Sequence, residues 1–409
     1  MARYLWIKTS PLHPLDRGGD LRTYHMLRML RNQHHVTFVG MISDDTQRSG
    51  IARSREYADE THWVDHHVPA KTSPLFLTGA LKNALVGSLP YAVSRFRSQK
   101  LCDTVLQLLK SQTYDCIVCD FIFPAASLPF KALHESGAKL ILFQHNVESI
   151  IWQRRAEQAR GITAPYWRAQ HRRMEAFERE ACVEFDGIIA VSEKDASIMR
   201  DQWHLTNVLG HVSTGVDSAF FKEVPRELPA APRFVFLGSM DWHANVDAVL
   251  WFASECWPLV RKVHPNAEFC IVGRQPLPEV KALQSEALGI TVTGSVPDVR
   301  PWLRGAHAMV VPLRIGGGTR LKILESMAAE VPVISTAIGA EGLPFTHGKE
   351  LLTAETPAQF AEAMSGLLAD PDKATRLAAT ARDCVEAEHG WQGVADQFTA
   401  LIDSTDAKS

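Results

Sequence analysis

Residues Val311–Thr336 read VPLRIGGGTRLKILESMAAEVPVIST. Two apolar runs flank a glycine triplet and a helical pattern, which together predict a strand, a turn, a helix and a second strand. Glycines let the backbone approach a ligand closely, and the free N–H groups at the start of a helix attract phosphate. The stretch therefore predicts an anion site at the edge of a parallel α/β sheet.

The charged side chains of this stretch extend the prediction. Arg314, Arg320 and Lys322 supply donors for an anion, whereas the carboxylate of Glu325 suits a diol. A phosphate joined to a sugar satisfies both. The alternative is a glycine-rich turn beside a solvated basic helix, but the compact order of strand, glycines, cations, carboxylate and strand favours a nucleotide-sugar site. The turn residues assigned to it are Gly316, Gly317, Gly318 and Thr319.

Composition narrows the class of protein. At 409 residues the chain is long enough for two domains, and its 46% hydrophobic and 22% charged residues are typical of soluble globular proteins. A net charge of -3 gives no reason to expect nucleic acid as a partner. No run approaches the roughly 18 apolar residues of a membrane span, so any membrane contact is expected to be peripheral.

The cysteines and the N-terminus indicate a cytoplasmic protein. Seven cysteines in no regular framework are expected to be reduced thiols. Cys116 and Cys119 form a CxxC inside the apolar run YDCIVCD, where their spacing places them on opposite faces of a strand. The N-terminal MARYLWIKTSP is followed too soon by charges for a signal peptide and is predicted to be the first strand.

Short apolar strands alternate with helical stretches along both halves of the chain, which is typical of parallel sheets covered by helices. A boundary is expected near residues 210–232, where a strand-like stretch leads into a proline-rich segment. The sequence thus predicts two doubly wound domains, residues 1–210 and 211–390, with a cleft between them and ligands at the carboxyl ends of the strands. The predicted strands are Tyr4–Lys8, Val36–Met41, Cys116–Cys119, Leu140–Phe143, Gly187–Val191, Phe234–Leu237, Glu268–Val272, Ile290–Val292, Ala308–Pro312 and Val331–Ser335.

The pattern PLRxGGGTRxKxLE followed by MAxxxPVI resembles the donor-binding segment of family-4 glycosyltransferases, which are retaining enzymes of the GT-B fold. The resemblance implies two Rossmann-like domains, a nucleotide-diphosphate-sugar donor and no other cofactor. It also implies that Glu325 holds the ribose, that Arg320 and Lys322 stabilise the leaving diphosphate with Arg314 near them, and that a C-terminal helix at about residues 391–409 crosses back onto the first domain. The implied acceptor is a glycan, a lipid-linked or a small-molecule hydroxyl.

Two positions in the first half match the same family. Gly18 and Gly19 precede an amphipathic helix, where a tight turn is the alternative to a ligand loop. His145 follows a buried strand, where a satisfied histidine is the alternative to a ligand contact. The resemblance favours phosphate approach at the glycines and sugar positioning by His145, with Asn146 and Glu148 as weaker candidates. For Glu148 the alternative is a carboxylate that complements a helix dipole.

The chain departs from the family pattern at two places. Ser239 and Asn245 stand where the family has an arginine and a lysine that neutralise the diphosphate, so other cations are needed, among them Arg274. Gly317 replaces the first of two glutamates, which leaves the donor sugar undefined.

Other signals favour structural interpretations or remain open. Asp370-Pro371-Asp372 is a DxD string, but a proline at a helix start and a capping aspartate explain it, so no metal is expected. Ser192 is interpreted as a helix cap. The arginine-rich segment from Trp152, with Tyr166 and Trp167, is either an exposed charged helix or a peripheral contact at the inner face of a membrane.

A hexose transferase that works without metal, in exopolysaccharide, cell-envelope glycan or glycoside synthesis, is thus the expected function. Two alternatives share the nucleotide site. One is a UDP-sugar epimerase of GT-B fold, which would convert donor without acceptor. The other is a non-catalytic nucleotide-sugar-binding subunit of a transferase complex.

Overall fold

Thirteen strands form two parallel sheets in the part of the chain that the structure describes. This structure is a computed structural model, and it describes residues 1–15, 18–43, 50–69, 73–315 and 321–405. The chain divides into two units: Met1–Ser213 together with the chain from Val394 onward, and Thr214–Gly393.

The first unit holds a sheet of seven described strands in the order β3-β2-β1-β4-β5-β6-β7, all paired in parallel. Its central strands are mostly apolar, as is typical of a parallel sheet with both faces covered, and β4 is buried at every position. The strands are β1 Arg3–Lys8, β2 His35–Ile42, β3 Glu60–Asp65, β4 Cys116–Asp120, β5 Lys139–Gln144, β6 Gly187–Ala190 and β7 Val208–His211. The helices are α1 Gly18–Arg31, α2 Pro74–Val86, α3 Tyr91–Ser94, α4 Gln99–Ser111, α5 Phe130–Glu135, α6 Glu148–Gln158, α7 Ala164–Cys182 and α8 Glu193–Ser197.

The second unit holds a sheet of six described strands in the order β10-β9-β8-β11-β12-β13, again parallel. The strands are β8 Arg233–Leu237, β9 Glu268–Val272, β10 Ile290–Gly294, β11 Ala308–Val311, β12 Val333–Ser335 and β13 Leu352–Thr353. The helices are α9 Ser218–Lys222, α10 His243–Trp251, α11 Trp257–Val263, α12 Pro278–Lys281, α13 Arg300–Arg304, α14 Leu321–Ala328, α15 Pro357–Ala369 and α16 Pro371–Glu388.

The last helix, α17 Trp391–Asp403, packs on the first unit. The ring of Phe398 lies 5.7 Å from that of Trp6 and 5.2 Å from that of Phe143, measured between centroids. Lys139 Nζ donates a 2.9 Å hydrogen bond to the Ile402 carbonyl. These contacts place α17 against β1 and β5.

Both sheets reverse their strand order next to the first strand of the unit. In the first unit β1 pairs with both β2 and β4, and in the second β8 pairs with both β9 and β11. The loops that leave the carboxyl ends of two such neighbours diverge to opposite faces and open a crevice, which is where α/β sheets bind ligands. The residues after β1 and β4, and those after β8 and β11, are therefore the places to look for sites.

The predicted fold class is confirmed, and every predicted strand is observed with ends shifted by at most two residues. Three observed strands are not among those predicted. β7 falls in the strand-like stretch near the expected boundary. β3, with the sequence ETHWVD, lies at a sheet edge and is mostly half-buried, so it lacks the apolar run of the central strands. β13 has only two residues. No helix among the described residues combines the length and the apolar character needed to cross a bilayer.

Candidate functional site

The ends of β8 and β9 come into close backbone contact in the second unit. Gly238 N–H donates a 3.0 Å hydrogen bond to the Val272 carbonyl. A Cβ placed on Gly273 would lie 1.6 Å from the Gly238 carbonyl oxygen. Only a glycine fits at residue 273, and its absent side chain lets the two loops converge at the reversal point.

Lys322 reaches this reversal point from α14. The apolar residues Ile323, Leu324 and Met327 bury one face of this helix, and Lys322 lies on another. Its ammonium donates a 2.8 Å hydrogen bond to Asn245 Oδ1 and lies 4.2 Å from the centre of the Phe236 ring. The cation is therefore held beside the end of β8.

Asn245 connects Lys322 to the loop after β8. It lies in the first turn of α10 and is buried. Its amide nitrogen donates a 2.9 Å hydrogen bond to the Ser239 carbonyl, while its oxygen accepts from Lys322. A Cβ on Gly238 would lie 3.0 Å from the Lys322 nitrogen. The loop, the amide and the ammonium thus form one arrangement at the end of β8.

Glu325 lies three residues beyond Lys322, so the two side chains share a face of α14. Burial raises the pKa of Glu325 to about 7, although the charge of Lys322 opposes the shift. The side chain keeps some contact with solvent. Near neutral pH the carboxyl is therefore only partly ionised, and a ligand that donates hydrogen bonds would favour its charged form.

Arg314 and Arg274, two other predicted cations, have different surroundings. Arg314 follows β11 and forms a bidentate pair with Asp247 of α10, with Nε 3.0 Å from Oδ2 and Nη2 2.5 Å from Oδ1. Its guanidinium also lies 5.2 Å from the centre of the Trp251 ring. Arg274 follows β9, and its carbonyl accepts a 2.8 Å hydrogen bond from Met240 N–H. Both arginines lie beside the loop after β8 or the helix that follows it. The positive charge of Arg314 is balanced by the carboxylate of Asp247.

Five residues predicted for this site lie outside the described residues. They are Gly316, Gly317, Gly318, Thr319 and Arg320.

The reversal point of the first unit holds a buried charged cluster centred on Asp120, the last residue of β4. Lys8 Nζ, at the end of β1, lies 3.1 Å from Asp120 Oδ1. Trp6 Nε1 and Thr23 Oγ1 donate hydrogen bonds of 2.7 and 2.6 Å to the other oxygen. Burial by itself would raise the pKa of Asp120, but Lys8, His145 and Thr23 together hold it below its usual range. Asp120 is therefore an anion that can only accept hydrogen bonds.

His145 joins this cluster from the end of β5. Its Nε2 lies 2.8 Å from Asp120 Oδ1, and the side chain is buried. Burial lowers the pKa of His145 to about 4, with Lys8 and Arg22 acting in the same direction and Asp120 opposing them. The imidazole is neutral at physiological pH. Because Asp120 only accepts, a proton on Nε2 suits this contact and leaves Nδ1 as the ring nitrogen that can accept.

Gly18 and Gly19 are the first two residues of α1 rather than residues that precede it. A Cβ on Gly19 would lie 3.2 Å from His145 Nδ1, so the glycine and the basic nitrogen face each other. The predicted glycine pair and the predicted histidine thus lie next to each other. Asp20, which follows Gly19 in the sequence, lies 3.8 Å from Lys8 Nζ.

Glu148 begins α6, but a different carboxylate satisfies the start of that helix. Glu178 of α7, fully buried, accepts hydrogen bonds of 2.8 and 2.9 Å from the N–H groups of Glu148 and Ser149, and one of 2.6 Å from Gln144. Burial and the neighbouring Glu178 raise the pKa of Glu148 to about 8. Glu148 is thus largely protonated at neutral pH, two residues from the His145–Asn146 pair.

Two interpretations as helix caps agree with the structure. Ser192 Oγ accepts a 3.1 Å hydrogen bond from Asp195 N–H at the start of α8. Asp370 Oδ1 accepts one of 2.8 Å from Lys373 N–H at the start of α16, with Pro371 as the first helical residue. Among the described residues, no three His, Cys, Asp or Glu side chains are grouped so that they could hold a metal ion.

The aromatic residues of the arginine-rich segment contact one another. The rings of Trp152 and Trp167 lie 5.8 Å apart, and Tyr166 packs against Trp167. The Arg155 guanidinium lies 3.8 Å from the centre of the Trp167 ring. The cluster joins α6 to α7.

Sequence reasoning missed Asp120 and Asn245. Asp120 stands at the carboxyl end of an apolar strand, as His145 does, and the run YDCIVCD shows this position. Only the two cysteines of that run are interpreted from the sequence alone. For Asn245, the sequence indicates only that it replaces a lysine of the family pattern. Its partner, Lys322, comes from a helix 77 residues further on, and nothing in the local sequence indicates that contact.

Comparison with known families identifies the class of protein. A family model described as "Glycosyltransferase Family 4" matches residues 17–220, and one described as "Glycosyl transferases group 1" matches residues 231–370. The chain belongs to the group 1, family 4 glycosyltransferases. An "Uncharacterized 44.6 kDa protein in cps region" of Klebsiella pneumoniae is 25% identical over 135 residues, which are 31% of this chain and 35% of that protein. The chain thus matches about a third of that relative's length.

Solved structures match almost the whole chain. Sucrose-phosphate synthase from Thermosynechococcus elongatus superimposes with a TM-score of 0.68 at 16% identity, over 99% of each chain. Anabaena HepE, solved in complex with UDP and glucose, gives a TM-score of 0.66 at 13% identity, over 99% of this chain and 100% of that one. At these identities the likeness concerns the fold, and the fold is GT-B.

Proposed function

We propose that the protein is a retaining hexosyltransferase that moves a sugar from a nucleotide-diphosphate-sugar to an acceptor hydroxyl without a metal ion. The observation that carries the proposal is the position of Lys322, whose ammonium is held by Asn245 beside Gly238. A cation at the end of the first strand of this unit, where the sheet order reverses, suits a diphosphate.

The second unit would bind the donor by its nucleotide and diphosphate. Lys322 would neutralise charge that develops on the diphosphate as the glycosidic bond breaks, and Arg320 would join it as the family resemblance implies. Glu325, on the same face of α14, would accept hydrogen bonds from the two ribose hydroxyls in its ionised form. Arg314, paired with Asp247, would fix the loop after β11.

The first unit would supply the imidazole and bind the acceptor. His145 is neutral, with Nδ1 facing Gly19. That nitrogen can accept a hydrogen bond from a sugar hydroxyl, and the anionic Asp120 on the other side of the ring would stabilise positive charge that develops there. No side-chain nucleophile is assigned, and the leaving phosphate would help to deprotonate the acceptor.

The acceptor is a glycan, a lipid-linked or a small-molecule hydroxyl, in exopolysaccharide, cell-envelope glycan or glycoside synthesis. The name of the Klebsiella relative places that protein in a cps region, and this supports exopolysaccharide or cell-envelope glycan synthesis over glycoside synthesis. We further propose that the protein works in the cytoplasm, since all seven cysteines are free thiols. HepE, whose structure contains UDP, makes UDP-sugars the first donors to test.

The test is a panel of UDP-, GDP-, ADP- and dTDP-sugars, monitored for nucleotide release with and without candidate acceptors. The proposal expects release with at least one donor, stimulated by an acceptor, and its loss in Lys322→Ala and Glu325→Ala. Release that persists undiminished in both variants contradicts the site. Conversion of the donor sugar without acceptor would indicate an epimerase, and donor binding without any turnover would indicate a non-catalytic subunit.

A further inference from the structure

Helix α2, Pro74–Val86, is attached to the first unit by its small and polar side. Asn83 is buried, and its Oδ1 accepts a 3.0 Å hydrogen bond from Gln170 of α7. Arg173 of α7 donates a 2.8 Å hydrogen bond to the Asn83 carbonyl. On the same side, a Cβ on Gly79 would lie 2.5 Å from the hydroxyl of Tyr91. Contacts with glycine, asparagine and a tyrosine hydroxyl fix this side.

The opposite side of α2 is apolar and exposed. Leu77, Leu81 and Leu85 recur every fourth residue, so they form one stripe, and they are 67%, 65% and 76% exposed. Leu75 and Val86, near the two ends of the helix, are also exposed, at 62% and 76%, but they lie off this stripe. A helix that was selected only for packing would bury these leucines. A contiguous exposed apolar surface of this kind marks an interaction site.

The stretch of sequence that contains this leucine face is basic. Lys82 is the only charged residue of α2, and the sequence has no Asp or Glu between Asp65 and Asp103 although the whole chain carries 46 of them. The same stretch contains five Lys and Arg residues, namely Lys71, Lys82, Arg95, Arg97 and Lys100. An apolar stripe within a basic region complements an anionic surface that has an apolar interior.

We propose that the leucine face of α2 docks the protein on the surface of an anionic lipid bilayer. Leu77, Leu81 and Leu85 would enter the boundary between headgroups and acyl chains, and the nearby cations would contact anionic headgroups. A second copy of this chain fits the face less well, because a symmetric contact would bring two basic regions together. The inference does not depend on the proposed transferase function, since it rests on a face remote in sequence from the residues assigned to the donor.

The test is flotation of the purified full-length protein with vesicles of phosphatidylcholine alone and with vesicles that also contain phosphatidylglycerol. We expect binding to the anionic vesicles that weakens as salt is raised. The triple variant Leu77→Gln, Leu81→Gln, Leu85→Gln should bind about tenfold less, because the apolar contribution is lost while the charge is kept. Glutamine keeps a high helix propensity, and all three positions are exposed, so the melting temperature should stay unchanged.

A matched control replaces two exposed apolar residues of the second unit. Val263 and Leu288 are 62% and 56% exposed, and Val263→Gln with Leu288→Gln should leave vesicle binding at the wild-type level. Three results would overturn the proposal. They are absence of binding to anionic vesicles, equal binding by the triple variant and wild type, or a lipid-free dimer that the triple variant converts to a monomer.

Discussion

Lys322 Nζ lies 2.8 Å from Asn245 Oδ1 across 77 positions of sequence. The two residues come from α14 and α10, the helices that follow the paired strands β11 and β8. Asn245 stands where the family pattern has a lysine, and its amide holds Lys322, a lysine that the same pattern places on α14. One cation of the pattern is thus absent from α10, and the asparagine in its place fixes the cation of α14 at the end of β8.

Removing this cation should abolish most turnover. We expect Lys322→Met to lower the rate of nucleotide release about 100-fold, because the developing charge on the diphosphate loses a preorganised partner. Asn245→Ala should lower it about tenfold, since the ammonium stays but loses the hydrogen bond that positions it. Lys262→Met, at an exposed lysine of α11, is the control and should retain full activity. Equal activity of Asn245→Ala and wild type would contradict a positioning role for the amide.

Nucleotide affinity should depend on pH through Glu325. Its pKa of about 7 means that the ionised fraction rises between pH 6 and 8, and in the proposed site the ionised form would accept hydrogen bonds from both ribose hydroxyls. Calorimetric titration with UDP should therefore show tighter binding as pH rises. The phosphate of UDP titrates in both proteins, so the comparison with Glu325→Gln isolates the carboxyl. The variant should bind about tenfold more weakly at pH 8 than wild type and show a flatter profile. Parallel profiles would exclude Glu325 from the ribose contact.

Asp120 and Lys8 should be coupled in stability. Asp120→Asn removes the nearer carboxylate from the buried Lys8 ammonium and leaves it Asp20 at 3.8 Å, and we expect a loss of about 3 kcal/mol in the free energy of unfolding. Lys8→Met alone leaves a buried carboxylate and should cost a similar amount. In the double variant neither charge remains, so its loss should be smaller than the sum. Additive losses in denaturant unfolding would mean that the two charges do not interact.

Acid should destabilise the first unit through His145. Its folded pKa of about 4 lies below the ordinary value of 6.5, so between these pH values the unfolded chain binds more protons than the folded one. Stability from this residue is present above pH 6.5 and is lost as pH falls toward 4, by about 3 kcal/mol in all. The free energy of unfolding of His145→Gln should therefore fall less than that of wild type as the pH is lowered from 6.5 to 4. A wild-type-like slope in the variant would show that His145 does not titrate there.

The contact between the loops after β8 and β9 should reject any side chain at residue 273. Gly273→Ala places a Cβ 1.6 Å from a backbone oxygen, so we expect a loss of at least about 2 kcal/mol and weaker UDP binding. Gly366→Ala is the matched control. Gly366 lies inside α15 with nothing within 4 Å of the added Cβ, so alanine there should stabilise by about 0.5–1 kcal/mol. Unchanged UDP binding by a folded Gly273→Ala variant would separate this contact from the site.

Central strands were predictable because their apolar composition indicates that they are buried. β4 and β9 are short apolar runs covered on both faces, and this pattern has few alternatives. The edge strand β3 has no such signal, since solvent on one side permits polar residues. Lys322, Glu325 and His145 could be identified as candidates because each follows a strand at its carboxyl end, directly or after a glycine turn. Which residues these side chains contact could not be predicted, because the contacting residues lie on other elements.

The sequence by itself determined that the chain forms two α/β halves and which side chains stand at the ends of their strands. The tertiary structure decided which of those ends meet. β1 lies beside β4 and β8 beside β11, and this strand order brings Lys8 to Asp120 and Lys322 to Asn245 although local periodicity carries no information about it. The structure also decided the orientation of α2. Helical spacing shows that its leucines share a face, and only the contacts of Asn83 and Gly79 show that this face is turned to solvent.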